Sequence, residues 1–243
     1  MTMQAVILAG GLGTRLRPIT ETIPKAMAPV RGRPFLEYQL EVLAGNGIDN
    51  VIICLGYLGH MIEDHFGDGR RFDVTIRYGY EQDGLLGTAG AVKNVEALLA
   101  DAFFVQYGDS YLLVDYRSTM AHFRAHDGLG LMVVHKNHDR WDRSNVVVDG
   151  GLIRAYDKQR RLPGMVYIDF GVSVFRREVF VDVPPGVATD LAAVHRSLIE
   201  QGQLLAYETY HRFYEVGSPQ GLREFEALAQ SGTLDLLTRS LPS

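Results

Sequence analysis

Short apolar, β-branched runs recur along the first half of the chain, and stretches with helical spacing separate them. That alternation is the pattern of parallel strands linked by crossover helices. The runs at Gln4 to Ala9, Asn50 to Leu55, Val74 to Tyr80 and Ala102 to Tyr107 predict strands whose near-continuous apolar character suits a sheet covered on both faces. Between them, Pro34 to Asn46 predicts a helix with proline in its first turn, Phe35, Tyr38, Leu40 and Leu43 as apolar anchors, and Gly45 and Gly47 near its end. Tyr57 to Phe66 predicts a second helix, stopped at Gly67. Thr88 to Ala100 and Asp115 to His126 predict two more.

The second half is less regular. Strands are predicted at Leu129 to His135, Asn145 to Val148, Leu152 to Tyr156 and Val166 to Phe175, with Asp149, Gly150 and Gly151 forming a hairpin turn. This part reads as antiparallel or mixed. Helices are predicted at Asp190 to Glu200 and Pro219 to Ala229, then a short helix or tail from Thr233. Without an internal repeat, a low-complexity segment or a flexible linker, residues 1–243 are expected to form one α/β domain. Its sheet is expected to be mixed but mostly parallel, with helices on both faces.

With 47% apolar residues, the chain can bury one continuous core. The formal net charge of -5 gives no global positive field of the kind that draws proteins to nucleic acid or anionic membrane. Neither partner is expected, and any phosphate must be held by a local arrangement. A single cysteine, Cys54, sits inside a strand-like apolar run, which excludes an intrachain disulfide and a cysteine zinc site. The opening apolar run is shorter than a secretory h-region, and no run of about 18 apolar residues occurs, so a cytoplasmic protein is expected. The histidines have no metal-ligand spacing, and none is assigned a catalytic role.

The segment richest in chemistry is Leu8, Ala9, Gly10, Gly11, Leu12, Gly13, Thr14, Arg15, Leu16, Arg17, Pro18, continuing through Thr20 to Pro24 and Lys25. It lies at the carboxyl end of the first strand, where open α/β sheets bind ligands. Glycines here remove Cβ atoms that would keep main-chain N–H groups from phosphate oxygens. Arg15 and Lys25 add local positive charge. A dinucleotide-binding fingerprint would need glycine where Leu16 stands, and a P-loop would need Gly-Lys-Ser/Thr, which is absent.

The segment from Leu8 to Pro29 resembles the signature of the sugar-phosphate nucleotidyltransferase family, and landmarks in the expected order extend to Gly217. The resemblance implies a Rossmann-like nucleotidyltransferase fold with a nucleotide-binding half of about 1–110 and a sugar-binding half of about 111–230. It also implies a Mg2+-dependent reaction in which a sugar 1-phosphate attacks the α-phosphorus of a nucleoside triphosphate. Arg15, Lys25 and Asp109 would be catalytic. Leu8, Ala9, Gly10, Gly11, Gly13, Thr14, Arg15, Gln82, Gly87, Thr88 and Gly90 would bind the nucleotide. Lys25, Gly108, Asp157, Lys158, Asp169 and Gly171 would hold the sugar phosphate, and Asp109 and Glu215 the metal.

Several positions also have plainer readings. Helix packing favours small residues at Gly87 to Ala91, Asp109 suits a turn, Asp157 and Lys158 suit a solvated pair, and Glu215 suits the start of the Pro219 helix. Trp141 either covers the sugar pocket or packs beneath a loop. The chain departs from the family pattern at Asp169, Phe170 and Glu215, which opens an inositol, choline or other polyol phosphate as acceptor. The Gly-Thr-Ala-Gly-Ala stretch resembles those of guanylyl- and uridylyl-type members and favours GTP with a mannose- or heptose-type sugar, with cytidylyl, uridylyl or thymidylyl transfer to another sugar 1-phosphate as the alternative. A non-catalytic NDP-sugar-binding regulatory subunit is the alternative outside enzymes. The chain ends too soon for the acetyltransferase domain of bifunctional relatives, so acetyl transfer is not expected. Apolar residues in the last helices suit a homo-oligomer.

Overall fold

The computed structural model describes residues 2–82 and 84–234. In chain order the first half runs β1 (Gln4–Leu8), β2 (Pro29–Val30), β3 (Arg33–Pro34), α1 (Phe35–Gly45), β4 (Asn50–Leu55), α2 (Gly59–Phe66), β5 (Thr75–Tyr80), α3 (Gly87–Asn94) and β6 (Ala102–Tyr107). The rest comprises β7 (Ser110–Tyr111), α4 (Tyr116–Arg124), β8 (Gly130–Lys136), β9 (Val146–Asp149), β10 (Leu152–Tyr156), β11 (Tyr167–Arg176), α5 (Leu191–Glu200), β12 (Leu204–Thr209), β13 (Tyr214–Glu215) and α6 (Pro219–Gln230).

Nine strands form one sheet in the order β5-β4-β1-β6-β11-β8-β12-β10-β9. β5, β4, β1 and β6 pair in parallel, β11 is antiparallel to both β6 and β8, and β12 returns parallel to β8. The sheet is therefore mixed: parallel through the first half and, apart from the β8-β12 pair, antiparallel in the second, so it is less parallel than expected. Its two faces explain the continuous apolar runs. Ala5 and Ile7 of β1 face a core shared with α1, α2, α4 and α6, whereas Val6 faces a second core shared with α3 and α5. Successive residues of a strand point to opposite faces, so a strand covered on both sides is apolar at nearly every position, and the buried Gln4 of β1 and Gln106 of β6 are satisfied by hydrogen bonds.

The structure shortens one expected helix and adds β12 to the main sheet, together with the short pairs β2-β3 and β7-β13. α3 ends at Asn94 rather than Ala100, and a single 3-10 turn, Glu96–Leu98, follows. A Cβ on Gly79 would stand 2.1 Å from Val95 Cγ1, so the bare strand position accepts the valine where the helix stops. β12 lacks a long apolar run and pairs with β8 through six residues, from Leu204 opposite Gly130 to Thr209 opposite His135. The C-terminal helix or tail expected from Thr233 lies, beyond Leu234, outside the described residues.

Two features aim the chain at one place. β1 sits between β4 and β6, and the chain leaves the carboxyl ends of all three strands beside one another: Tyr57 N donates to Gly10 O and Gly108 N to Leu8 O. In β11 the register with β8 slips between Asp169 and Ser173, where Gly171 has a φ of 93°. Such bulges re-aim side chains.

Candidate active site

The glycine-rich segment after β1 is a chain of three short 3-10 turns, Thr14–Leu16, Ile19–Glu21 and Lys25–Met27. The Thr20 hydroxyl donates to Gly13 O at 2.7 Å and closes the loop. Gly13 has a φ of 61°, and a Cβ there would meet Thr20 at 2.8 Å and Lys25 Cβ at 3.1 Å. Both conformation and space therefore call for glycine, and the loop fixes where Lys25 emerges.

Two cavities open at the strand ends. The first, of about 210 Å³, is lined by Leu8, Ala9, Gly10, Gly11, Lys25, Ala26, Cys54, Glu81, Leu85, Gly87, Thr88, Ala91, Tyr107, Gly108 and Asp109. The second, of about 400 Å³, is lined by Arg15, Lys25, Tyr107, Asp109, Ser110, Asp142, Arg143, Asn145, Lys158, Ile168, Asp169, Phe170, Gly171, Phe213 and Glu215. Lys25, Tyr107 and Asp109 line both, so the cavities meet at these residues.

Charge at the junction is cross-paired. Lys25 Nζ donates to Asp109 Oδ2 at 2.6 Å, and Arg15 Nη2 donates to Glu215 Oε1 at 2.7 Å. The antiparallel pairing of β7 with β13 places Glu215 opposite Ser110, next to Asp109, and Val216 N donates to Asp109 O. The two acids converge on Gly217: an added Cβ there would stand 2.3 Å from Glu215 Oε1, 2.7 Å from Asp109 Oδ2 and 3.1 Å from Arg15 Nη2. The gap left by that missing side chain is a cradle lined by two carboxylates. Among the described residues no set of three or more His, Cys, Asp or Glu converges as a metal site. A two-carboxylate cradle suits magnesium, which takes one or two protein acids and completes its shell from phosphate and water.

Elsewhere in the second cavity, the Lys158 ammonium lies 5.1 Å from the Tyr107 ring centroid, 5.7 Å from that of Tyr156 and 3.8 Å from Asp169 Oδ2. Burial works to lower its pKa, but the Asp169 carboxylate and the Tyr107 hydroxyl outweigh it and hold Lys158 above its usual value. Asp169 accepts from the Tyr156 hydroxyl at 2.8 Å and from Gly171 N at 2.9 Å, and its own N–H donates to the Asn145 side chain. Phe170 is buried edge-on against Phe213. That packing accounts for a bulky residue at this position.

Other expected residues are placed differently. Asp157 does not line the second cavity; its carboxylate turns back to accept from Gln159 N and Arg160 N, bonds that lower its pKa. Gly108 lines the first cavity and packs against Leu8 O. Gly13 and Thr14 shape the loop without lining either cavity, and Gln82 lines neither. At the start of α3 the packing reading has strong support. The N–H groups of Ala89 and Gly90 donate to Thr189 O, and a Cβ on Gly87 would meet the same oxygen at 2.7 Å. The Thr88 hydroxyl in turn accepts from Leu191 N at the start of α5. Each of these helix starts thus uses its partner's segment, while Gly87 and Thr88 still line the first cavity.

Glu81, Asp142 and Arg143 are among the charged lining residues not anticipated from the sequence. Glu81 lines the first cavity beside Gly10. Asp142 and Arg143 reach the second from a loop pinned by the buried residues Asn137 and Ser144. Asn137 donates to Asp142 O at 2.6 Å, and the Ser144 hydroxyl accepts from Asp139 N at 3.0 Å. The sequence itself offers only an asparagine and a serine flanking a charged stretch, Asn137 to Ser144. Trp141 stacks on His135 at 4.6 Å and does not line the second cavity, so it packs beneath this loop.

A family model described as nucleotidyl transferase matches residues 4–230. Among curated proteins, the chain is 32% identical over 217 residues to the UTP–glucose-1-phosphate uridylyltransferase of Synechocystis sp., covering 82% of this chain but 56% of that protein. It is 31% identical over 232 residues to the N-acetylmuramate alpha-1-phosphate uridylyltransferase of Neisseria meningitidis serogroup B, covering 93% and 98%. It is 33% identical over 180 residues to the D-glycero-alpha-D-manno-heptose 1-phosphate guanylyltransferase of Campylobacter jejuni, covering 74% and 79%. Among solved structures, HddC from Yersinia pseudotuberculosis complexed with GMP-PN superposes with a TM-score of 0.74 at 26% identity, covering 92% of this chain and 97% of that one.

Proposed function

Because the chain belongs to the nucleotidyl transferase family, we propose that it joins a nucleoside triphosphate to a sugar 1-phosphate, releasing pyrophosphate and an NDP-sugar. The observation that carries this reading is the meeting of two cavities at Lys25, Tyr107 and Asp109. One cavity takes the nucleotide and the other the sugar phosphate, so the α-phosphorus and the attacking oxygen come together at the shared residues. A sugar phosphate oxygen is already anionic at neutral pH, so the chain needs no nucleophile of its own. Its task is positioning and charge relief.

Gly10 and Gly11 let main-chain N–H groups approach the phosphates, Arg15 receives the leaving pyrophosphate, and Lys25 and Lys158 hold the acceptor phosphate. Asp109 and Glu215 would hold Mg2+ in the cradle at Gly217, where the ion neutralises charge on the phosphates. The cross-paired charges supply a reason for metal and nucleotide to bind together. Phosphates that draw Arg15 and Lys25 away leave two acids in need of a cation. GTP with a mannose- or heptose-type 1-phosphate is the substrate pair we favour, supported by the Campylobacter guanylyltransferase. The Neisseria relative, covered over 98% of its length, favours UTP instead. No helix among the described residues is long and apolar enough to cross a membrane. Phosphorylated substrates do not diffuse through bilayers, so we place the reaction in the cytoplasm.

Pyrophosphate release from a matrix of nucleoside triphosphates against sugar 1-phosphates, inositol phosphate and choline phosphate tests the reading. Metal-dependent release with at least one sugar phosphate supports it. NDP-sugar binding without release from any pair would leave a regulatory binding protein in its place.

A further inference from the structure

Three of the cations lining the second cavity stand beside acids, and one of these pairs differs from the other two. Lys25 with Asp109 at 2.6 Å and Arg15 with Glu215 at 2.7 Å are closed ion pairs. Lys158 Nζ stands 3.8 Å from Asp169 Oδ2, too far for a hydrogen bond. An ammonium carries three N–H donors. Among the described residues, the only hydrogen bond this one makes is a long one, to the Tyr107 hydroxyl at 3.5 Å.

The pair stays open because the acid is already engaged. Asp169 Oδ2 accepts from the Tyr156 hydroxyl at 2.8 Å, and Oδ1 accepts from Gly171 N at 2.9 Å. Both donors are fixed in place. Gly171 belongs to the β11 bulge, and Tyr156 is buried and packs edge-on to the His195 ring at 5.4 Å. The rings of Tyr107 and Tyr156 attract the Lys158 charge through their faces, which leaves its N–H groups unspent. Asp169, with the Tyr107 hydroxyl and the Asp190 carboxylate, keeps the ammonium charged against burial. A phosphate can therefore take Lys158 without first breaking a charge-assisted hydrogen bond, which it must do at Lys25 and Arg15.

We propose that Tyr156 is a positioning residue whose hydroxyl occupies Asp169 and so keeps the Lys158 ammonium free for the acceptor phosphate. The inference rests on the nucleotidyl-transfer reading and deepens it by naming a residue that acts through Lys158. Tyr156 lines neither cavity, so it does this without touching substrate.

The test measures pyrophosphate release with one accepted sugar 1-phosphate in wild type, Tyr156→Phe, Asp169→Asn and the double variant. Tyr156→Phe keeps the ring and removes only the hydroxyl, so Lys158 is expected to close onto the freed Oδ2. KM for the sugar phosphate is expected to rise about tenfold, the scale of one hydrogen bond to a charged group, while KM for the nucleoside triphosphate stays within about twofold. With asparagine at position 169 there is no carboxylate to close onto, and Tyr156→Phe is expected to have little further effect. A merely structural tyrosine would carry the same penalty in both backgrounds. That result, or an unchanged sugar-phosphate KM in Tyr156→Phe, overturns the inference and leaves nucleotidyl transfer standing. Crystal structures without ligand read the pair directly: open in wild type and closed in Tyr156→Phe is the expected outcome. A hydrogen-bonded Lys158–Asp169 pair in wild type overturns the inference even if the variant misfolds. Absence of pyrophosphate from every substrate pair removes the transfer reading, and the two crystal structures then decide the role of Tyr156 alone.

Discussion

At Gly217 one absent methyl group keeps open the space between two carboxylates. Alanine there would bring a Cβ to 2.3 Å from Glu215 Oε1 and 2.7 Å from Asp109 Oδ2, and both acids would have to swing away. The atoms displaced are side-chain ends, so the fold should tolerate the change. Gly217→Ala is expected to keep a near-native melting temperature while turnover falls and the Mg2+ needed for half-maximal rate rises. A magnesium titration showing wild-type dependence would mean that the cradle does not hold the ion. Arg15→Ala and Asp109→Ala are each expected to fold normally and to lose roughly two to three powers of ten in kcat, the usual cost of removing a preorganised electrostatic group. Near-native turnover in either variant would take that residue out of the mechanism. Lys25 and Asp109 were legible because the order of glycines and cations after β1 resembles a family signature and Asp109 follows an apolar strand, whereas Tyr107 reads only as part of that strand. Glu81 and Arg143 were not, because each reaches its cavity through contacts between segments distant in sequence. Position in the chain carries no trace of the space at Gly10, where a Cβ would lie 2.5 Å from Glu81 Oε1.

Among the elements, α5 couples stability to pH through His195. The imidazole is 3% exposed, with Nε2 3.2 Å from the Ser173 hydroxyl and its ring stacked on Phe175 and edge-on to Tyr156. Burial lowers its pKa from 6.5 to about 4, against the nearby Asp169 and Asp190 carboxylates and with help from the Lys158 charge. Between those values the unfolded chain binds a proton that the folded chain does not, so stability is lost as pH falls from about 6.5 towards about 4. A shift of that size corresponds to roughly 3 kcal/mol. His195→Gln, which keeps a polar partner for Ser173, is expected to flatten this part of the profile. Urea midpoints at pH 7 and pH 5 for both proteins would check it: an equal drop in each assigns the acid sensitivity to carboxylates instead. The same scale shows which elements the pattern of residues could reveal. Strands covered on both faces stand out because nearly every position is apolar. β12 escaped because its last four residues are at most partly apolar and it owes its place to pairing with β8. α3 was read too long because Val95, Leu98 and Leu99 keep helical spacing while Val95 packs into the gap at Gly79.

The molecule as a whole is tied together by its last described helix. α6 leaves the second half, and Phe225, fully buried, meets Phe35 and Tyr38 of α1 at 5.1 and 5.5 Å and Tyr111 at 4.9 Å. A helix from late in the sequence therefore completes the core of the first half, and β7 pairs with β13 across the same divide. Sequence order suggested two halves in succession; the packing entwines them, because an apolar helix face needs a partner core and finds it on α1. If the halves are one cooperative unit, losing either exposes the core of the other. The single tryptophan, Trp141, lies in the second half and stacks on His135 of β8, so its fluorescence reports that half, while far-UV circular dichroism reports all helices. The two probes are expected to give coincident urea transitions, as two-state unfolding requires. Phe225→Ala, which cuts the aromatic tie to α1, is expected to lower stability by about 3–5 kcal/mol and to move both transitions together. A fluorescence transition that stayed in place while the dichroism transition shifted would instead show that the second half holds itself together without the first.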